Sequence, residues 1–451
     1  MAGSAFEGVE GDLNLSPRRA GWTERHIGDE TRRCLDEDAR YFLHQALSTP
    51  CLNALARADG IYLEDLEGRR YMDFHGNSVH QVGFGNPAVV AAIKAQLDEL
   101  SFCTRRYTNA RAVELARKLA EITPGNLGKS LLCPSGAAAI GMALRLARVA
   151  TGRHKTISMW DAFHGASLDA SSVGGERMFR GDVGPLLPGT EHVPPPDASH
   201  CALGCGGRCD LRCAGYVEYV LEREGDVAAV IAEPVRSTPA IPHPDYWPRI
   251  RAACDRSGAL LIFDEIPQCL GRTGRMFVSE HWSVVPDILV LGKGLGGGIL
   301  PLAAIVTRPE LDMMSERALG HYTHEKNPVT CAAALATIDY IEKERLVERA
   351  RELGAHALVR MGELARRHRL VGDVRGLGLL LGIELVRDRE TRTPAREEAD
   401  RVMYRALERG LSFKVSAGNI LTLTPPLTIR RDELDRALGI IDDCLVEIET
   451  A

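Results

Sequence analysis

Lys293 stands where an apolar run meets a glycine-rich turn, in DILVLGKGLGGGILPLAAIV (287–306). Glycine lets the backbone approach a ligand closely. A lysine whose pKa is lowered in such a site can form an imine. A phosphate-binding lysine of a nucleotide loop is the alternative, but the spacing G-x-x-x-x-G-K-[ST] is absent. A second run, LLIFDEIPQCLGRTG (260–274), delivers Asp264 and Glu265 to the carboxyl end of a buried strand. A carboxylate there is costly without a cationic partner. The protonated pyridine nitrogen of pyridoxal 5'-phosphate (PLP) is such a partner, and holding it protonated makes the ring an electron sink. A metal site, or carboxylates tied to Arg272 and Arg275, are the other readings of the same acids. AAVIAEPVR (228–236) puts Glu233 at a third strand end, with Arg236 just beyond it.

Two further segments end strands in the same way. In LLCPSGAAAIGMALRLAR (131–148) a strand stops at Cys133, Ser135 and Gly136 turn the chain, and an Ala-rich helix begins. A small-residue turn at a helix N-terminus presents N–H groups to a phosphate, although an ordinary strand–helix turn looks the same. In MWDAFHGAS (159–167), Phe163 and His164 follow a strand. An aromatic there could stack on a flat ring, or be a core aromatic beside a surface histidine.

Positioning these residues requires a sheet. Short apolar runs at Ser130–Cys133, Thr156–Met159, Ala228–Ala232, Leu260–Phe263, Ile288–Leu291 and Leu302–Val306 are bounded by Gly, Pro and Asp, and most are separated by helical stretches. Continuous apolar strands of this kind build a mainly parallel sheet, whose ligands sit outside the carboxyl ends. Helical periodicity covers 87–100 and 110–122, a hairpin is expected within 59–75, and the Pro-rich stretch 185–197 reads as a loop. After residue 325 the pattern changes to helices (328–349, 351–368, 395–409, 431–449) and strands (371–374, 377–386, 420–424). The division expected is an N-terminal arm and small-domain segment (1–75), a large α/β domain (76–325) and a smaller α+β C-terminal domain (326–451), with residues 1–30 as an arm. Length alone, at 451 residues, calls for more than one core.

Composition narrows the partners. Net charge is −6 with no basic stripe, which argues against nucleic acid. No run approaches the ~18 apolar residues of a membrane helix, and the first residues lack an apolar signal core. Twelve cysteines in such a chain are expected to be reduced thiols of a cytoplasmic protein. Four of them, Cys201, Cys205, Cys209 and Cys213, recur at C-x3-C spacing in CALGCGGRCDLRC. Four thiols interleaved with glycine could wrap a structural zinc ion, although zinc sites usually use C-x2-C pairs.

The order of these segments resembles the class III aminotransferases, PLP enzymes of fold type I. The resemblance runs from about residue 36 to 447, through FHGNSVHQVGFGNP (74–87), SGAAA, FHG, AEPV, FDE…GRTG, GKGLGGG, YTHEKNP (322–328), RGLGLLLGIEL (375–385) and PPLTI (425–429). It implies a mainly parallel, seven-stranded-type sheet in the large domain. By the same resemblance Lys293 carries PLP as a Schiff base and then acts as base at the carbon bearing nitrogen. Asp264 binds the pyridine nitrogen, Phe163 stacks on one ring face beside His164, and Ile266 covers the other. Ser135, Gly136 and Ala137 cradle the phosphate, and Glu233 holds the Asp264 region. Thr323 reaches the phosphate of a second subunit, which implies a homodimer with shared active sites.

The sequence departs from the family at points near the substrate. Where the family usually has an acidic residue, Asn and a further Glu after Ser-Gly, this chain reads Ala137-Ala138-Ala139-Ile140-Gly141; Pro267 and Arg236 replace two usual glutamines. Residues 29–53, 74–83, 104–112 and 320–328 are most similar to the (R)-1-hydroxy-2-aminoethylphosphonate ammonia-lyases within the family. That implies an aminophosphonate substrate, for whose dianion Arg105, Arg106, Arg236 and Lys414 are candidate donors; Arg236, at a strand end beside Glu233, is the first choice, since Arg105 and Arg106 read equally as a solvated pair near a helix start. His80 or His324 is a candidate general acid, and each reads equally as a loop histidine, His80 above all. An ω-aminotransferase using pyruvate or 2-oxoglutarate, and an amino-alcohol phosphate phospho-lyase, are the alternatives.

Overall fold

Strands that alternate polar and apolar residues need one wet face; those in the middle of this chain do not alternate and have none. Val227–Ala232, Leu260–Asp264, Ile288–Leu291 and Ala303–Thr307 are buried at every residue. The computed structural model describes residues 15–205 and 209–450, which fold as two compact units.

One unit combines the described residues up to Asn86 with those from Leu346 onward. It begins with helices α1 (Arg18–His26) and α2 (Asp29–Tyr41). The arm expected over residues 1–30 is therefore helical in part, and Trp22 on α1 is only 1% exposed; residues 1–14 lie outside the described residues. The expected hairpin is a three-stranded antiparallel meander: β1 (Leu55–Asp59), β2 (Tyr62–Asp65) and β3 (Arg70–Asp73).

The other unit, Pro87–Arg345, holds α3 (Pro87–Glu99), α4 (Ala110–Ile122), β4 (Lys129–Cys133), α5 (Gly136–Thr151), β5 (Lys155–Met159), α6 (Leu168–Val173), α7 (Arg177–Arg180), β6 (Thr190–Val193), α8 (Arg212–Glu224), β7 (Val227–Ala232), α9 (Tyr246–Ser257), β8 (Leu260–Asp264), β9 (Ile288–Leu291), β10 (Ala303–Thr307) and α10 (Pro328–Lys343). Its sheet has seven strands in the order β4-β10-β9-β8-β7-β5-β6. Only β10 runs against its neighbours, antiparallel to both β4 and β9. The apolar face of α5, with Ile140, Leu144 and Ala147, packs in one core with Ile231, Ile262, Val290 and Ile305 of the sheet. Each fully buried side chain the size of Leu or Ile contributes about 1.5–3 kcal/mol.

Two expectations need correction here. The Pro-rich stretch 185–197 is not wholly a loop: Thr190–Val193 adds β6 as an edge strand parallel to β5. The helix expected over 328–349 is two helices, because Arg345 takes a left-handed φ of 52° and ends the first. Since α10 packs on α3 and α4, this unit runs on to Arg345, past the pattern change at residue 325.

After the break the first unit resumes with α11 (Leu346–Arg367), β11 (Val371–Leu377), β12 (Leu380–Asp388), β13 (Thr393–Pro394), α12 (Arg396–Glu408), β14 (Leu411–Ser412), β15 (Lys414–Ser416), β16 (Ile420–Leu423) and α13 (Arg431–Thr450). Here β14 pairs in parallel with β3, joining the two ends of the chain in one sheet. No helix among the described residues is long and apolar enough to cross a membrane.

Candidate active site

Five strand ends of the large sheet converge on one constellation. At the end of β4, Ser135 caps α5. Its hydroxyl accepts from Ala138 N at 3.2 Å, and its carbonyl accepts from Ala139 N. Such a cap is worth about 1 kcal/mol, and it leaves the first-turn N–H groups of Gly136 and Ala137 facing out of the helix N-terminus. Two glycines make room for this turn. A Cβ on Gly136 would stand 2.8 Å from Ile266 Cδ1, and one on Gly165 would stand 2.7 Å from the Ala137 Cβ.

After β5 comes the Phe163–His164 turn. Phe163 is 37% exposed and lies against Phe179 of α7, with ring centroids 4.4 Å apart. His164 turns the other way and is buried. Its Nδ1 lies 2.8 Å from Asp264 Oδ2, so the carboxylate selects the tautomer with the proton on Nδ1. Its Nε2 is buried without a hydrogen-bond partner among the described residues. Asp264, at the end of β8, also accepts the Ile266 N–H at 3.1 Å.

Adjacent strand residues face opposite ways, and that separates the paired acids. While Asp264 meets His164, Glu265 accepts the N–H groups of Val278 and Ser279 at 2.6 and 2.8 Å, and burial pushes its carboxyl up to about 7. The two carboxylates therefore do not converge on a metal. Glu233, at the end of β7, accepts the Phe163 N–H at 3.2 Å. Burial raises its pKa, against the lowering influence of Arg236 and His164.

Lys293 opens a short 3-10 turn (Lys293–Gly296) just after β9, with φ of 45°. A non-glycine residue held in that region costs on the order of 1–3 kcal/mol, and such strain collects at functional sites. Gly292 before it admits Ile266, whose Cγ2 would be 3.1 Å from an added Cβ. Thr323 lies on an exposed loop that Tyr322 ties to α5 by donating to the Ala138 carbonyl at 3.4 Å.

The candidate substrate cations separate. Arg236 donates to the Asp161 carbonyl and lies 3.8 Å from both Glu233 and Glu176. Arg105 pairs with Glu325 at 3.4 Å and with His321, and Arg106 beside it is exposed. Lys414 is half-buried in β15 of the other unit, and His80 is buried in that unit's segment after β3. The ring of His324 stands edge-on to Phe102, 5.4 Å away.

Sequence reasoning missed Phe179, Tyr322 and Asp169. The Asp169 carboxylate fills the space above Gly141, 2.1 Å from where a Cβ would be. Gly141 in place of the family's usual glutamate was the available signal.

The structural zinc expected at Cys201, Cys205, Cys209 and Cys213 is not carried by the structure. Among the described residues no group of three or more His, Cys, Asp or Glu side chains could hold a metal. The Cys201 and Cys205 sulfurs are 3.1 Å apart, whereas sulfurs bound tetrahedrally at about 2.3 Å from one zinc stand about 3.8 Å apart.

An exposed aromatic face, a buried carboxylate anchored by histidine, outward N–H groups at a helix end and a strained lysine together fit a flat, phosphate-bearing pyridine cofactor. Residues 44–445 match the class III aminotransferase family. The chain belongs to that family. It is 46% identical to the (R)-1-hydroxy-2-aminoethylphosphonate ammonia-lyase of Vibrio splendidus, over 97% of this chain and 95% of that protein. It is 39% identical to the leucine/methionine racemase of Thermococcus litoralis, over 85% and 88% of the two chains. A PLP-bound amine transaminase from an uncultivated Pseudomonas species superposes with a TM-score of 0.84 at 32% identity, covering 90% of this chain and 99% of that one. The chain is thus an enzyme of fold type I, and PLP is the cofactor expected of its family.

Gly165→Ala tests the local fit. Its φ of 125° lies outside the range of L side chains, and the new Cβ would press on Ala137. PLP affinity, followed by absorbance titration, is expected to fall tenfold or more, for a cost of about 1–3 kcal/mol. An unchanged affinity would mean that the Phe163–Gly165 turn does not support the helix end.

Proposed function

We propose that this enzyme is a cytoplasmic, homodimeric PLP-dependent ammonia-lyase that converts (R)-1-hydroxy-2-aminoethylphosphonate to phosphonoacetaldehyde and ammonia. The observation that carries this reading is the 46% identity over 97% of the chain to the lyase of that name.

PLP, when bound, supplies the electron sink that lets a proton leave the carbon bearing nitrogen. Lys293 Nζ takes that proton. The Asp264 carboxylate, bonded to His164, would hold positive charge on the pyridine nitrogen. Phe163 and Ile266 would pack against its ring. Ser135, Gly136 and Ala137 would receive the phosphate, Thr323 would reach it from a second subunit, and Glu233 fixes the Phe163 backbone. The hydroxyl on the neighbouring carbon then leaves as water, with His324 a candidate for its proton. The released enamine hydrolyses without further help, so no keto acid takes part.

A phosphonate dianion needs forked cationic donors. Arg236 lies between two carboxylates, Glu233 and Glu176, each 3.8 Å away. Arg105 lies beside one, Glu325, and Arg106 next to it in sequence is exposed, so two cations stand against one carboxylate there. The phosphonate is therefore assigned to Arg105 and Arg106 ahead of Arg236, the residue that the sequence alone favours.

Purified enzyme given PLP and the substrate, with no keto acid, is expected to release ammonia and phosphonoacetaldehyde in equal amounts. Amino transfer that appears only when pyruvate or 2-oxoglutarate is added would make it an aminotransferase and overturn the lyase reading.

A further inference from the structure

In CALGC (201–205), Gly204 N donates to the Cys201 carbonyl at 3.0 Å, and Gly204 takes a φ of 70°. That turn folds the segment back on itself and brings the Cys201 and Cys205 sulfurs to 3.1 Å, about 1 Å beyond a covalent S–S bond. Both thiols are partly exposed, and Asp210 Oδ1 lies 3.3 Å from the Cys205 sulfur. Cys213 differs from both. Cys213 is buried on α8, where desolvation pushes its thiol up to about 11. With Cys209 and Cys201 it lines a small cavity beside Asp197, His243 and Tyr246.

We propose that Cys201 and Cys205 form a peroxide-reactive dithiol, a site of reversible disulfide formation on this enzyme. The Cys201 thiolate attacks one peroxide oxygen and the O–O bond breaks. Cys201 becomes a sulfenic acid, and the other oxygen leaves as water once protonated. The Cys205 sulfur then displaces the sulfenic oxygen as a second water and closes the S–S bond. Two thiols are oxidised by two electrons in all, and one peroxide is reduced to two waters. The order of attack follows from local chemistry. Burial disfavours the Cys201 thiolate, but the Cys205 thiol and the N–H groups of residues 203–205 outweigh it and lower its pKa; the Cys205 thiol is instead pushed up to about 11 by its bond with Cys201. In a reducing compartment a disulfide of this kind forms and is reversed, as in redox-sensing proteins.

The site stands apart from the lyase reading, because its test follows sulfur and not turnover. Reduced holoenzyme is given a slight molar excess of hydrogen peroxide, alkylated and digested with trypsin. Cleavage after Arg180, Arg208 and Arg212 puts Cys201 and Cys205 on one peptide and Cys209 and Cys213 on two others. That first peptide is expected to lose two hydrogens and regain them with dithiothreitol. Cys205→Ser should leave Cys201 as a sulfenic acid trapped by dimedone, and Cys201→Ser should slow peroxide consumption. The proposal is overturned by a bridge that instead joins Cys209 or Cys213, by sulfinic acid without a bridge, by alkylation of both thiols unchanged by peroxide, or by zinc released when the thiols are titrated.

Discussion

Lys293→Ala is expected to lower ammonia release from the hydroxylated aminophosphonate by at least about a thousandfold, since it removes the amine that takes the proton in the proposed reaction. Folding should survive. Lys293 already bears the strain of a left-handed φ of 45°, which alanine, with the same Cβ, would bear alike, and no core side chain is deleted. The measurement is a continuous ammonia assay beside a thermal melt. Substantial residual turnover in a folded variant would take the proton-abstracting role away from Lys293. Borohydride treatment adds a second readout: it should fix PLP covalently to the parent enzyme and not to the variant.

Asp264→Asn should cost about 10²–10⁴-fold in turnover, the range that general acid–base groups supply, while PLP stays bound through the α5 turn. The carboxylate does two things in the proposed site. It would favour the protonated pyridine nitrogen, and it fixes His164 through the 2.8 Å bond to Nδ1. Asparagine keeps the shape and removes the charge. A fall in turnover with PLP affinity held within a fewfold is the expected split. If both fall together, Asp264 acts in binding and not on the electron sink.

Much of this site was legible because strand ends declare themselves. Asp264 and Lys293 each close an unbroken apolar run, and Ser135–Gly136 follows one, so the chain marks where the carboxyl ends lie. What escaped lacked such a mark. The edge strand β6 has four residues, mostly half-buried, among prolines, and its pairing comes from β5, not from its own pattern. Phe179 sits on a four-residue helix, too short for periodicity to show. The helix break at Arg345 has neither Gly nor Pro to announce it. The cysteine run declared proximity correctly and chemistry poorly: even spacing says that thiols gather, while only the turn at Gly204 says which two meet. Arg236 drew notice just beyond Glu233, three residues away, whereas its second carboxylate neighbour, Glu176, comes from a segment that no local pattern connects to it.

The parallel pairing of β3 with β14 has a consequence for how the chain is made. Residues 70–73 and 411–412 meet only after more than three hundred intervening residues have left the ribosome, which at about 5–20 residues per second takes tens of seconds. The Pro87–Arg345 unit, contiguous in sequence, can complete itself in that interval. Its flanking meander must wait, with the β3 edge unsatisfied, for the last strands to arrive. A nascent chain halted near residue 345 would then hold a finished sheet of seven strands beside an exposed strand edge. Such an intermediate invites a chaperone, and a stop codon anywhere before residue 411 would leave the β3 edge without its partner strand.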